Sequence, residues 1–209
     1  ELRALRKAKQ DIKRWLKTVM PEYDAYVSPG GGKRSPKGGG VVTLVHRQLR
    51  AYTTLDRAHK VKGRMLAVKV SNPLSGESTT VVNVYMPPRW DDTDRRKRDR
   101  VMRRLTRIEG KVVAGGDWNV AWGWRSTDGV RTTRSRDLAF KRQLPGEWKV
   151  FTDPWELPTW IAAPQRRTAC LDFWMLKELT GASRTHDMAA GFDHKRITLS
   201  LTLDHIPAP

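Results

Sequence analysis

The sequence predicts one α/β domain over residues 1–209, and three observations carry that expectation. Short runs of β-branched residues recur along the chain. Two stretches have the apolar spacing of amphipathic helices, and no repeat or linker divides the sequence. A chain of 209 residues is long enough to bury a sizeable core.

The elements follow in order. Leu5, Ala8, Ile12, Trp15, Leu16 and Val19 recur at helical spacing over residues 2–19, with Lys and Arg between them, and Pro21 closes the segment. "SPGGGKRSPKGGG" (28–40) predicts a flexible loop carrying Lys33, Arg34 and Lys37. "VVTLVH" (41–46), "RMLAVKV" (64–70) and "TTVVNVYM" (79–86) predict strands, bounded by turn signals such as "SNPLSGES". Asp91, Asp92 and Thr93 stand where caps belong for a second helix, "DRRKRDRVMRRLTRIEG". Val101, Leu105 and Ile108 share one face of it, and Gly110 ends it. "VVAGGDWNV" (112–120) is an apolar run that finishes on Asp117 and Asn119. Residues 121–165 are weakly periodic, and their tryptophans (Trp122, Trp124, Trp148, Trp155, Trp160) read as core or loop anchors. "TACLDFWML" (168–176) and "KRITLSLTL" (195–203) predict two further strands, the second cleanly alternating.

Charge narrows the class of partner. Lysine and arginine number 40 against 22 acids, a net +18. An excess of that size points to a polyanion, DNA or RNA, with an anionic membrane surface as the competing reading. No segment is long or apolar enough to span a bilayer, and of the two readings nucleic acid is the expected partner, with no membrane. Arg95, Arg96, Lys97, Arg98, Arg100, Arg103, Arg104 and Arg107 crowd the second helix. A run of this kind is ordinarily a solvated face, but eight like charges repel one another and favour a nucleic acid against them. The single cysteine, Cys170, lies in an apolar run, reads as a small core residue and fits a reducing compartment.

The polar residues at strand ends form a chemical set. "TTVVNVYMPP" ends in Tyr85, "VVAGGDWN" in Asp117 and Asn119, and "GFDHKRITLSL" carries Asp193 and His194 just before a strand. Asp172 is embedded among apolar neighbours, where an unpaired carboxylate is costly. Each alone has a plain structural reading: Gly, Asp and Asn favour turns, and Tyr before Pro-Pro is often packing. Together they suit metal-assisted phosphoryl chemistry, in which carboxylates hold Mg²⁺ and a histidine supplies a proton or a positive charge.

In this order the motifs "GGGVVTLV", "GRMLAVKV", "VVNVYMPP", "GGDWNV", "RRTACLDFWML" and "GFDHKRITLSL" resemble the endonuclease/exonuclease/phosphatase superfamily, over residues 38–203. The Tyr-x-Pro strand end and "PTW…RRTACLDFWML" look most like endonuclease domains of non-LTR retrotransposons. The resemblance implies a two-layer β-sandwich flanked by helices, with the active site at one edge of the sheets. It implies that Asp117 orients or deprotonates the attacking water, Asn119 and Tyr85 hold the phosphate, and His194 stabilises developing charge with Asp172 fixing its ring. Asp193 would orient the nucleophile or bind metal. Family members begin with a strand bearing an asparagine and a second ending in the glutamate that anchors Mg²⁺. No such strand precedes the first helix here, so the expectation is an N-terminally truncated form, its first strand either lost or lying upstream of residue 1. Glu1 lies at the corresponding distance for that glutamate, and equally reads as an acid at a helix N-terminus. Phe192 stands where these nucleases usually carry serine.

Two functions from different classes follow. The first is a Mg²⁺-dependent phosphodiesterase, an endonuclease that nicks DNA. The second is a non-catalytic relative acting as an RNA-binding structural subunit of a large ribonucleoprotein such as a mitochondrial ribosome, among other proteins. A phosphatase of lipid or inositol phosphates shares the chemistry but does not require so basic a chain.

Overall fold

Contacts along the chain group it into two units, Glu1–Ala114 and Gly115–Pro209. The computed structural model describes residues 8–30, 40–88, 91–120, 124–125, 131–132, 135–152, 159–162, 167–186, 194 and 196–201. Glu1, Lys33, Arg34, Lys37, Phe192 and Asp193, all singled out in the sequence, lie outside the described residues.

The first unit opens with α1 (Ala8–Val19), which buries Leu16 and exposes Trp15 and Val19. β1 (Tyr23–Pro29) and β2 (Gly40–His46) pair antiparallel, Tyr23 opposite His46 and Pro29 opposite Gly40. Ser28 and Pro29 therefore belong to a strand and not to the expected loop; Pro29 sits at its very end, where the missing N–H does no harm. A short 3₁₀ helix, Arg47–Tyr52, leads into β3 (Thr53–Val61), which the sequence did not announce. Its "TTLDRAHKV" is charged and slips register between Asp56 and Val61, so the two-residue alternation is broken. β4 (Met65–Ser71) and β5 (Ser78–Tyr85) continue the antiparallel sheet. β4 is buried at every residue from Met65 to Val68, as a central strand should be, while β5 alternates, turning Val82 and Val84 inward. On the other face of β5, Asn83 Nδ2 donates to the Val42 carbonyl at 2.7 Å and ties the β1–β2 ribbon to the sheet.

α2 (Asp92–Leu105) is capped by Asp91, whose side chain accepts the Asp94 N–H at 2.8 Å. Acids stand in its first turn and Arg103 and Arg104 in its last, matching the helix dipole. Val101, Met102 and Leu105 face the core. The helix stops at Leu105, earlier than expected; Ile108 is still buried, but from the turn that follows, and Gly110 takes a φ of +71°. β6 (Lys111–Asp117) passes from the first unit into the second.

The second unit holds β7 (Trp124–Arg125), β8 (Arg131–Thr132), α3 (Ser135–Gln143), β9 (Trp148–Phe151), β10 (Trp160–Ala162) and β11 (Arg167–Ala169). β12 (Asp172–Lys177), β13 (Gly181–Thr185) and β14 (Ile197–Leu201) complete it. β10, β11, β7 and β8 form one small sheet; β12 pairs antiparallel with β9, and β13 with β14. The weakly periodic stretch thus hides a helix, α3, anchored by buried Phe140. Phe140, Trp118 and Phe173 pack as an aromatic cluster, with Trp118 stacked on Phe173 at 5.3 Å between centroids. Gly115 lies against the ring of Trp174, where a Cβ would come within 2.2 Å, so the glycine at this position of "VVAGGDWNV" has a packing cause. Trp148 is buried, as a core anchor should be.

Candidate active site

The site in the second unit is built from the end of β6, the start of β12 and His194. At the end of β6, Trp118 is fully buried and fixed twice: its backbone N–H donates to the Leu171 carbonyl and its Nε1–H to the Phe173 carbonyl, each at 2.9 Å. An anchored Trp118 forces its neighbours the other way. Asp117 and Asn119 are half-buried, and Asn119 takes a φ of +49°, a conformation that asparagine tolerates better than most residues. Its backbone N–H donates to Asp117 Oδ1 at 2.9 Å and its Nδ2 to Oδ2 at 2.8 Å. The segment is therefore an Asx turn as well as a pair of placed polar groups.

β12 begins at Asp172 and not at Thr168; the expected single strand is two, β11 and β12, broken at Cys170 and Leu171. The break has a chemical cause. Buried Thr159 Oγ1 accepts the N–H of Leu171 at 3.0 Å and of Asp172 at 2.9 Å, taking both donors out of any ladder. Asp172 then presents Oδ2 to His194 Nδ1 at 2.7 Å. The paired geometry expected for the embedded carboxylate is present. With Nδ1 turned to Asp172, the imidazole presents its Nε2 edge on the opposite side. Cys170 is buried, its Sγ 3.5 Å from the Asp172 carbonyl, as a small packing residue.

Asp117 is the electrostatically unusual group. Burial, followed by the negative charge of Asp172, pushes its pKa up to about 7, against smaller opposing effects of His194 and of the Asn119 hydrogen bonds. Asp117, Asn119, Asp172 and His194 are thereby drawn into one electrostatic neighbourhood. Among the described residues no three His, Cys, Asp or Glu side chains group as a metal centre. The half-buried Asp117 carboxylate, under like-charge repulsion, has the hard oxygen chemistry that suits a divalent cation.

Tyr85 belongs to the first unit, at the end of β5 as expected. Its ring lies under the guanidinium of Arg64, 4.7 Å from its centroid, a contact that the sequence reading did not contain. Thr159 and Trp118 act as supports through contacts distant in sequence, which the motifs "PTW" and "DWN" do not themselves disclose. On α2 the eight basic residues differ in standing. Arg98 is buried, with its Nη1 3.4 Å from the Pro87 carbonyl, so it does not contribute to an outward face. Lys97 pairs with Asp94 at 2.6 Å, Arg95 with Asp92 at 3.1 Å, and Arg104 donates to the Ala58 carbonyl at 2.8 Å. Arg96, Arg100, Arg103 and Arg107 are exposed.

The sequence pattern of the Endonuclease/Exonuclease/phosphatase family matches residues 4–190. The chain belongs to this family. Its fold is accordingly the endonuclease/exonuclease/phosphatase α/β fold, with a mixed central sheet and helices. No curated protein matches the sequence significantly. Solved structures of the same fold include the endonuclease domain of TRAS1, a telomere-specific non-LTR retrotransposon. It is 14% identical, with a TM-score of 0.68, over 96% of this chain and 95% of that one. AP endonuclease LMAP from Leishmania major is 12% identical, with a TM-score of 0.62, over 86% of this chain and 70% of that one. D. rerio TDP2 complexed with single strand DNA product is 14% identical, with a TM-score of 0.58, over 91% and 81%. None of the comparisons supports RNA binding or a place in a mitochondrial ribosome. Among the described residues no helix is long and apolar enough to cross a membrane.

Proposed function

We propose that this chain is a single-domain, metal-dependent phosphodiesterase that nicks DNA. The observation that carries the reading is the convergence of Asp117, Asn119 and the Asp172–His194 pair, with Asp117 held near neutrality. A carboxylate with a pKa near 7 is suited to take a proton from water at physiological pH, because its basicity matches the task. Asn119 donates from its amide to Asp117, and the same side chain is assigned to a phosphate oxygen. Asp172 fixes the tautomer of His194 and supports an imidazolium, whose Nε2–H stabilises charge growing on the phosphate. Tyr85 is assigned to the phosphate, with its phenol as donor.

Members of this family use divalent metals. Asp193 and Glu1 are assigned to hold Mg²⁺ here. When bound, the ion supplies positive charge for the phosphate and the leaving group. The net charge of +18 and the exposed Arg96, Arg100, Arg103 and Arg107, with Lys33, Arg34 and Lys37, supply counter-charge for a DNA backbone. The test is nicking of supercoiled plasmid with Mg²⁺, beside Asp117→Asn and a chelator. Nicking that both controls abolish supports the enzyme; a folded wild-type chain that never nicks removes it.

A further inference from the structure

Arg64 follows the β3–β4 turn and is only 9% exposed. Its main chain is fixed on both sides: its N–H donates to the Val61 carbonyl at 3.0 Å, and its carbonyl accepts the Tyr85 N–H at 2.8 Å. The turn before it is built for close approach. Gly63 has a φ of +66°, and a Cβ there would lie 2.5 Å from Gly30 Cα, so glycine alone lets the turn rest against the end of β1. Buried Ser28 Oγ accepts the Gly63 N–H at 3.0 Å. The backbone that carries this buried cationic side chain is therefore fixed on both sides.

What it is held for is the question. The guanidinium carbon stands 4.7 Å over the Tyr85 ring, and that contact attracts the charge. It does not satisfy the N–H groups, which point outward in the guanidinium plane. Nη1 is buried and has no hydrogen-bond partner among the described residues. Immobilising an arginine and leaving one of its donors without an acceptor both cost free energy, and neither is recovered by packing a ring. An anionic oxygen recovers both, through a charge-assisted hydrogen bond from a group that never loses its proton.

We infer that Arg64 is a phosphate-binding residue: its guanidinium takes a non-bridging oxygen of the phosphodiester that Tyr85 also holds. This deepens the proposed function, resting on that reading for the role of Tyr85. The ring and the guanidinium orient one another, so the two donors arrive as a unit, and the ligand class is a phosphodiester anion of a nucleic-acid backbone.

The experiment uses the full chain and two readouts. In the first, dimethyl phosphate is titrated while the Arg64 side-chain Nε–H resonance is followed by NMR. A saturable movement is expected in the wild type and in Asp117→Asn, and at least a fivefold weaker one in Tyr85→Phe. In the second, Arg64→Lys, which keeps the charge but loses the planar fork, is expected to lower kcat/KM for plasmid nicking at least tenfold, mainly through KM. An Arg64 resonance that ignores the phosphodiester overturns the inference, as does a folded Arg64→Lys chain that nicks like the wild type. If Arg64→Lys does not fold, the wild-type titration decides alone. A chain that nicks while Arg64 stays unmoved keeps the endonuclease and loses the Arg64 assignment. A chain that never nicks but moves Arg64 does the reverse.

Discussion

Asn119 closes on both oxygens of Asp117, with its backbone N–H on Oδ1 at 2.9 Å and its Nδ2 on Oδ2 at 2.8 Å. A single residue in a left-handed conformation thus orients the carboxylate that carries the raised pKa. The two jobs of Asn119, backbone geometry and amide donation, are separable. Asn119→Gly keeps the positive φ without strain and loses the amide, so its thermal midpoint should stay within a few degrees while nicking falls at least tenfold. Asn119→Ala should lose activity equally and also destabilise the chain by about 1 kcal/mol. Equal thermal midpoints for the two variants would contradict the backbone role.

The pKa of Asp117 gives a pH dependence with a definite sign. Folding raises it from 3.8 to about 7, so the folded state prefers the proton. Ionising it therefore removes stability as pH rises from about 4 to about 7, and no further loss follows above that. Denaturant midpoints in the absence of metal should fall across this window in the wild type relative to Asp117→Asn. The difference should be roughly 1–3 kcal/mol, less than the full shift because the carboxyl is only half-buried. A constant difference between the two chains from pH 4 to 8 would remove the assignment. Nicking should rise over the upper part of the same range, as the base becomes ionised.

Asp172 acts on two neighbours at once. Asp172→Asn removes the carboxylate facing His194 and should lower kcat by 10²–10⁴-fold, with little change in KM. It also removes a negative charge that raises the Asp117 pKa. Carboxyl ¹³C titration should therefore show Asp117 moving down in this variant. An unmoved Asp117 would mean that burial alone sets it.

Thr159 is a support whose loss should be felt in stability first. Thr159→Val leaves two buried N–H groups, those of Leu171 and Asp172, without their acceptor. A loss of about 1–3 kcal/mol is expected, with activity falling as Asp172 loosens. Thr159→Ser should restore both in urea unfolding and nicking assays.

Much of this site was legible in the chain itself. Asp172 stood alone in an apolar strand, and burial of a charge demands a partner, which His194 proves to be. "GGDWN" announced both a turn and a pair of polar groups, and it is both. The β5 alternation put Tyr85 at a strand end. By contrast, β3 was illegible because its register slip destroys the alternation, and α3 because it has too few apolar residues to show a period.

The sequence by itself determined the family, the strand ends at Asp117 and Tyr85, and the strongly basic character, because each is a matter of local pattern or of composition. Tertiary structure decided the rest. Thr159 reaches Asp172 across 13 residues, Trp118 reaches Phe173 across 55, and Arg64 lies on Tyr85 only because β4 and β5 pair in one register. Burial likewise separates Arg98 from the exposed Arg96 and Arg100, although all three are the same residue type in one helix. Hydrogen bonds, ring contacts and pKa values depend on what stands within a few ångströms, and spacing along the chain does not hold that information.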